Sequence, residues 1–204
     1  MTPEAMAGTD NWLAARRGCL TASRVADALS TLKSGKPSER RQKLLFELLA
    51  ERITGAKVDH FVTPAMQWGI DMQAPAISEY EARTGEIVQP EAFYLHESID
   101  WFGATPDGLV PHGLIEVKCP TTPRFLQIVA TGDIPAEWQT QMTAQCSVLA
   151  RDWVDFVAFD PRVPGSKSLF IKRFEPGDKA IATLEAGVIE FLDELQAMTE
   201  QFKE

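Results

Sequence analysis

Leu44, Leu45, Leu48 and Leu49 recur at helical spacing within residues 39–53, and Gly55 lies just beyond. This predicts a helix closed by a glycine cap. Upstream, Thr21, Ala22 and Ser23 precede residues 24–29, which read as a helix start with hydroxyl capping. Residues 30–38, rich in Ser, Lys, Gly and Pro, read as a loop. A second long helical pattern fills 64–83 and stops at Gly85. Pro75 lies inside it and predicts a kink or a break, because proline brings no N–H. The pattern then changes. Residues 86–95, 101–105, 108–110 and 114–118 read as short strands, with Pro111-His112-Gly113 as a turn between the last two. Residues 122–130 and 136–150 read as helices. Residues 153–159 alternate and read as a strand, as do 168–174, and 177–202 form a long amphipathic helix. Helices, then sheet, then helices predict a mixed α/β (α+β) layered fold. With no internal repeat, the 204 residues read as a single domain, 1–204, on which the last helix (177–203) packs.

Composition narrows the class. Apolar residues make up 45% and charged residues 24%, a globular balance. No stretch approaches the roughly 20 apolar residues of a membrane helix. The first eleven residues show no secretory signal. Cys19, Cys119 and Cys146 contain no C-x-x-C pair, which speaks against a disulfide framework and fits a reducing cytoplasm. The net charge of −9 argues against broad, non-specific DNA binding. Its distribution is uneven, however. Residues 1–60 hold ten Lys or Arg against seven acids, and residues 61–204 hold ten against twenty-two. A basic region on an acidic body can hold a polyanion locally, or can be a solvated helix face.

The chemistry lies in Thr105-Pro106-Asp107-Gly108-Leu109-Val110 followed by Gly113-Leu114-Ile115-Glu116-Val117-Lys118-Cys119-Pro120. Strand alternation puts Glu116 and Lys118 on one face and Val117 on the other. A short turn folds Asp107 back beside them. Two carboxylates that converge repel unless a cation lies between, and oxygen ligation with room for waters suits Mg²⁺. Such a metal polarises phosphoryl oxygens and acidifies water, while a lysine offsets charge on the phosphorus. An exposed, salt-bridged hairpin gives the same residue pattern, and these residues alone leave that alternative open.

The ordered blocks across the chain go further. They are Trp12-Leu13-Ala14-Ala15-Arg16-Arg17-Gly18, Leu20-Thr21-Ala22-Ser23, Lys33-Ser34-Gly35-Lys36, Trp68-Gly69, the two blocks above, Gln139-Thr140-Gln141 and Asp160-Pro161-Arg162. In this order and spacing the chain resembles, over about residues 12–162, the phage lambda exonuclease family. These are the YqaJ-like viral recombinases among the PD-(D/E)xK, restriction-endonuclease-like nucleases. The resemblance implies a central mixed β-sheet flanked by helices. It implies an Mg²⁺-dependent 5′→3′ exonuclease, with Mn²⁺ able to substitute, that releases 5′-mononucleotides from linear double-stranded DNA and leaves 3′ overhangs. Asp107, Glu116 and the Val117 carbonyl would hold the metal, Lys118 would be the catalytic lysine, and Gln139 would border the site. Arg16, Thr21 and Ser23 would grip the 5′-phosphate, with Thr105 nearby and Lys33 reaching toward the DNA end. The family works as a homotrimer ring with a single-strand annealing protein, here encoded by a phage or prophage and active in the bacterial host cytoplasm, with no membrane partner.

One position departs from the family. Where the helix after Trp-Gly carries a Glu that helps with a metal, this chain has Gln73. Asp71 or Glu79 is a candidate to compensate. Gln73 is also the one feature that favours a non-catalytic DNA-end-binding scaffold. A same-fold nuclease of different polarity or endonucleolytic habit is the remaining alternative. His60, His96 and His112 lack zinc-ligand spacing, and three cysteines are too few for the iron–sulfur members of the superfamily. Trp101 and Trp153 read as strand core. Trp12, Trp68 and Trp138 are core or DNA-stacking candidates. Cys119 reads as a small buried residue, and Gln141 and Gln145 as solvent-facing.

Overall fold

The computed structural model describes residues 5–6, 9–58, 62–90 and 92–202; His60 lies outside them. Two four-stranded mixed sheets form the frame. The first has the order β1 (Ala5–Met6), β3 (Ala92–Leu95), β4 (Phe102–Ala104), β2 (Leu20–Thr21), and β2 and β4 run parallel. The second has the order β5 (Gly108–Val110), β6 (Gly113–Lys118), β7 (Val154–Phe159), β8 (Leu169–Phe174), with the parallel pair β6–β7 at its centre. Thr105, Pro106 and Asp107 carry the chain from one sheet to the other. A bridge between Gln89 and Leu109 ties the approach to β3 onto β5.

The helices are α1 (Asp10–Arg16), α2 (Val25–Ala28), α3 (Glu39–Thr54), α4 (Pro64–Thr84), α5 (Thr122–Thr131), α6 (Ala136–Leu149) and α7 (Asp178–Glu200). Their ends follow local chemistry. Ser38 accepts from the Arg41 N–H to cap α3, whose far end turns at Gly55 with φ 65°. Thr63 caps α4 with Pro64 in its first turn, and Gly85 closes it with φ 77°. A positive φ is easy for glycine and strained for other residues.

The second sheet is covered on both sides. Leu114 and Phe156 join one buried cluster with Leu44, Leu48, Met142, Phe191 and Leu195, which brings in α3, α6 and α7. Ile115, Val117 and Val157 join a second cluster with Ala76 and Tyr80 of α4. Each fully buried large side chain contributes about 1.5–3 kcal/mol relative to exposure. All six residues of β7 are buried. The strand expected over 153–159 is therefore a two-sided core strand over Val154–Phe159 rather than a half-exposed alternating one, with Trp153 partly buried just before it. Asp155 is the polar exception there. It accepts from the Tyr80 hydroxyl at 2.9 Å and from Arg173 at 2.9 and 3.1 Å.

Several expectations need correction. Helix α4 runs through Pro75 without a break. The strand expected over 86–95 shortens to β3, because β1 and β4 pair only with its end. Thr21 makes no capping bond, since the chain leaves β2 as a 3-10 turn (Ala22–Arg24) before α2. Trp101 is not strand core. It occupies the turn before β4 at φ 63°, is 46% exposed and lies under the Arg52 guanidinium at 4.4 Å. No helix among the described residues is long and apolar enough to cross a membrane.

Gly103 gives a test of the first sheet. A Cβ there would lie 2.4 Å from the Phe93 ring and 2.8 Å from the Tyr94 carbonyl oxygen, which is backbone and cannot swing away. Gly103→Ala should cost about 1–3 kcal/mol, read as a lower thermal midpoint by circular dichroism.

Candidate active site

Register brings the charged groups together. Gly108 pairs with Ile115, so the residue before Gly108 faces the residue after Ile115, and Asp107 lies across from Glu116. Asp107 is held there by the Val117 backbone N–H, which donates to its Oδ2 at 2.6 Å. Glu116 and Lys118 share one face of β6, as alternation predicts, and form an ion pair. The hairpin is not an exposed surface feature. Glu116 is only 1% exposed.

A buried carboxylate is tolerated only if its oxygens are satisfied. Helix α6 supplies the donors. Gln141 Nε2 donates to Glu116 Oε1 and Gln145 Nε2 to Oε2, both at 2.6 Å. Lys118 Nζ donates to Glu116 Oε1 and to Gln141 Oε1, the latter at 3.1 Å. Burial works to lower the Lys118 pKa, but Glu116 and Asp107 outweigh it and hold the ammonium above its ordinary value.

These groups line a cleft of about 990 Å³ together with Trp12, Arg16, Ser23, Trp68, Gln73, Thr105, Cys119, Gln141 and Arg162. Helix α1 closes one side. Arg16 donates to Thr105 Oγ1 at 2.5 Å, the Trp12 indole N–H donates to the same oxygen at 3.3 Å, and the Arg16 guanidinium lies 4.4 Å from the Trp12 ring centre. A second cavity of about 610 Å³ adjoins it. Arg16, Ser23 and Trp12 are common to both, and Thr21, Arg17, Arg24 and Lys57 line the second one. Arg16, Arg17, Arg24 and Lys57 of the basic N-terminal stretch therefore converge here, together with Glu51. Also lining the cleft, Arg162 lies 4.5 Å over the Trp68 ring and is anchored by Asp160 at 2.7 and 3.0 Å. Asp160 is fully buried. Burial alone would raise its pKa, but the hydrogen bonds from Arg162 and Thr122 prevail and keep it below the usual carboxylate range.

Not every expected residue reaches the cleft. Gln139 donates to the Ile134 carbonyl at 2.6 Å and lines a separate groove between α6 and α7. A residue two positions from Gln141 lies on the other side of a helix, and Gln141 occupies the place expected of Gln139. Lys33 is exposed in the 30–38 loop and does not line the cleft. Gln73 does line it, donating to Asp107 Oδ1 at 3.3 Å. Asp71 pairs with Gln67 and Glu79 with Arg83, and neither lines the cleft. Cys119 is half-buried in the cleft wall rather than packed away. Gln141 and Gln145, read as solvent-facing, are instead the partners of Glu116. The signal for them was their spacing of four, which places both amides on one helix face; Gln145 lies within the buried run 142–149 and Gln141 just before it.

The donor set suits a hard cation. Among the described residues no group of three or more His, Cys, Asp or Glu stands close enough to hold a metal. Asp107 and Glu116 offer carboxylate oxygens, a donor set that fits a hard divalent cation better than zinc. The Cys119 thiol is pushed up to about 12, mainly by burial and then by Asp107 and Asp160, so it stays neutral and offers no thiolate.

Residues 11–151 match the YqaJ-like viral recombinase domain. The chain belongs to this family. As a YqaJ-like recombinase it is similar to LHK-Exo, an alkaline exonuclease from Laribacter hongkongensis, at 40% identity. A structure of that protein in complex with dAMP covers 96% of each chain with a TM-score of 0.88; a second covers 95% of each with a TM-score of 0.87. A phage-related exonuclease from Haemophilus somnus 129PT shares the fold at 14% identity, with a TM-score of 0.63 over 88% of this chain and 96% of that one. No curated protein matches.

Proposed function

We propose that the chain is a divalent-metal-dependent 5′→3′ double-strand DNA exonuclease. On this reading it resects linear ends to 3′ single-strand overhangs for recombination by strand annealing. The observation that carries it is the meeting of Asp107, Glu116 and Lys118 in one cleft beside the basic chamber of Arg16 and Ser23. Its 40% identical relative is an alkaline exonuclease that was crystallised with dAMP, a deoxynucleoside monophosphate.

Asp107 and Glu116 would hold Mg²⁺ or Mn²⁺, with the Val117 carbonyl and the Gln73 amide oxygen as further ligands. When bound, such an ion polarises a phosphoryl oxygen and lowers the pKa of a bound water. Lys118 acts as a cation. Two of its three N–H donors go to Glu116 and Gln141, and the third is left for the water or the phosphate in the cleft. Arg16, with Ser23 and Thr21, binds the terminal 5′-phosphate as a charge-assisted anion site, and Thr105 fixes the Arg16 guanidinium. Arg162 on Trp68 offers a further cation to the DNA backbone. The reading includes assembly as a homotrimer ring, cooperation with a single-strand annealing protein, and action in the cytoplasm of a bacterial host. The ring would keep a protein of net charge −9 on DNA by topology rather than by affinity.

A duplex with a 5′-phosphate at one end and a 5′-hydroxyl at the other tests this reading. With Mg²⁺ the phosphorylated strand should be lost as mononucleotides, and EDTA should stop the loss. Arg16→Ala should narrow the difference between the two ends more than it weakens binding. Loss from the 3′ end would reverse the polarity. The specific observation favouring a second reading, a non-catalytic end-binding scaffold, is the amide of Gln73 beside Asp107. A scaffold would bind the duplex and cut it in no divalent metal.

A further inference from the structure

Gln145 is fully buried on α6, between Ala144 and Cys146, which are themselves buried. Its Nε2 donates to Glu116 Oε2 at 2.6 Å, while its Oε1 is buried with no hydrogen-bond partner. A half-satisfied amide in an apolar setting is a poor choice for packing alone. A methionine would fill a similar volume without an orphaned acceptor. The amide's orientation also has a physical cause, since only the NH₂ end can face an ionised carboxylate. The other oxygen of Glu116 is held by Gln141, one turn earlier on the same helix face. Both oxygens are thus fixed by one rigid element before any ion arrives.

We propose that Gln145 is a positioning residue. By holding Oε2 it fixes the plane and rotamer of Glu116 and so sets the affinity of the site for a divalent cation. This rests on the metal-dependent reading above. Hydrogen-bond partners of metal ligands orient the ligand and, when removed, typically cost about 10–100-fold in metal affinity or activity. Gln141 differs in that its oxygen also accepts from Lys118, so its loss would disturb the lysine as well. The hydrogen bond of Gln145 goes to Glu116, so its effect is exerted on the carboxylate.

The test is Mn²⁺ binding to the full chain without DNA, followed by electron paramagnetic resonance, for the unsubstituted protein and Gln145→Met. The Mn²⁺ dissociation constant should rise about 10–100-fold, and the metal-free thermal midpoint should fall, because Glu116 Oε2 loses its buried donor. A purely structural role would lower the midpoint and leave the affinity alone. A folded Gln145→Met with unchanged Mn²⁺ affinity overturns the proposal. If that variant does not fold, the unsubstituted chain carries the test. The Gln145 side-chain NH₂ resonances should be protected from exchange and should shift on adding Mg²⁺; rapid exchange with no shift overturns the proposal equally. No Mn²⁺ binding by the unsubstituted chain would instead sink the metal-dependent reading itself.

Discussion

Lys118→Ala should abolish DNA digestion while the chain stays folded. Lys118 is the cation of the cleft, and losing a positioned group of this kind costs about 10²–10⁴-fold in rate. The fold should survive because Glu116 keeps its two amide donors from Gln141 and Gln145. Glu116→Ala should be equally inactive but less stable. It strands two buried donors at about 1–3 kcal/mol each, so Glu116→Gln separates the chemistry from the folding more cleanly. Gel analysis of 5′-phosphorylated duplex over a range of enzyme concentrations reads the first effect, and thermal denaturation the second. Full activity in Lys118→Ala or in Glu116→Gln would overturn the catalytic assignment.

A large effect on stability is also expected away from the cleft, at Asp155. Its carboxylate is 5% exposed and accepts from Tyr80 on one side of β7 and from Arg173 on β8. Arg173 is half-exposed, so that ion pair adds little by itself. The cost of Asp155→Ala comes from the buried Tyr80 hydroxyl left without an acceptor and from the space left in the core. Together these amount to about 2–4 kcal/mol, or a midpoint fall of roughly 6–12 °C for a chain of this length. Tyr80→Phe removes donor and demand together and should cost only about 1 kcal/mol. Equal losses in the two variants would show that the hydrogen bond is not what holds α4 to the sheet. Neither substitution should change Mn²⁺ affinity.

The sequence was most legible where one physical rule decided the outcome. Helix α3 carries its leucines on one face, a serine before it and a glycine after it. Alternation along β6 put Glu116 and Lys118 together because period two is forced by the backbone. Asp107 followed from a turn too short to take it elsewhere. Legibility ended where packing across the fold decides. In α6 every residue from Met142 to Leu149 is buried, so no polar stripe marks a solvent face, and Gln139 and Gln141 look alike. Their roles separate only because β6 lies under one face of the helix and α7 under another. The short strands β1 and β2 are two residues each. Such segments exist through their partners and carry no pattern of their own. Trp101 misled because an aromatic residue beside a strand reads as core, whereas the turn before β4 holds it outward at a left-handed φ.

The connection between the sheets has a consequence for the product. Thr105, which ties down Arg16, and Asp107, which receives the Val117 amide, are separated by one residue, and that residue is Pro106. Its ring locks φ and so removes one of the rotations between anchor and carboxylate, which narrows the range the span can take. On the proposed reading this makes the segment a ruler. The end of the strand is seated at one mark, the bond to be broken falls at the other, and every cycle measures off the same length of DNA.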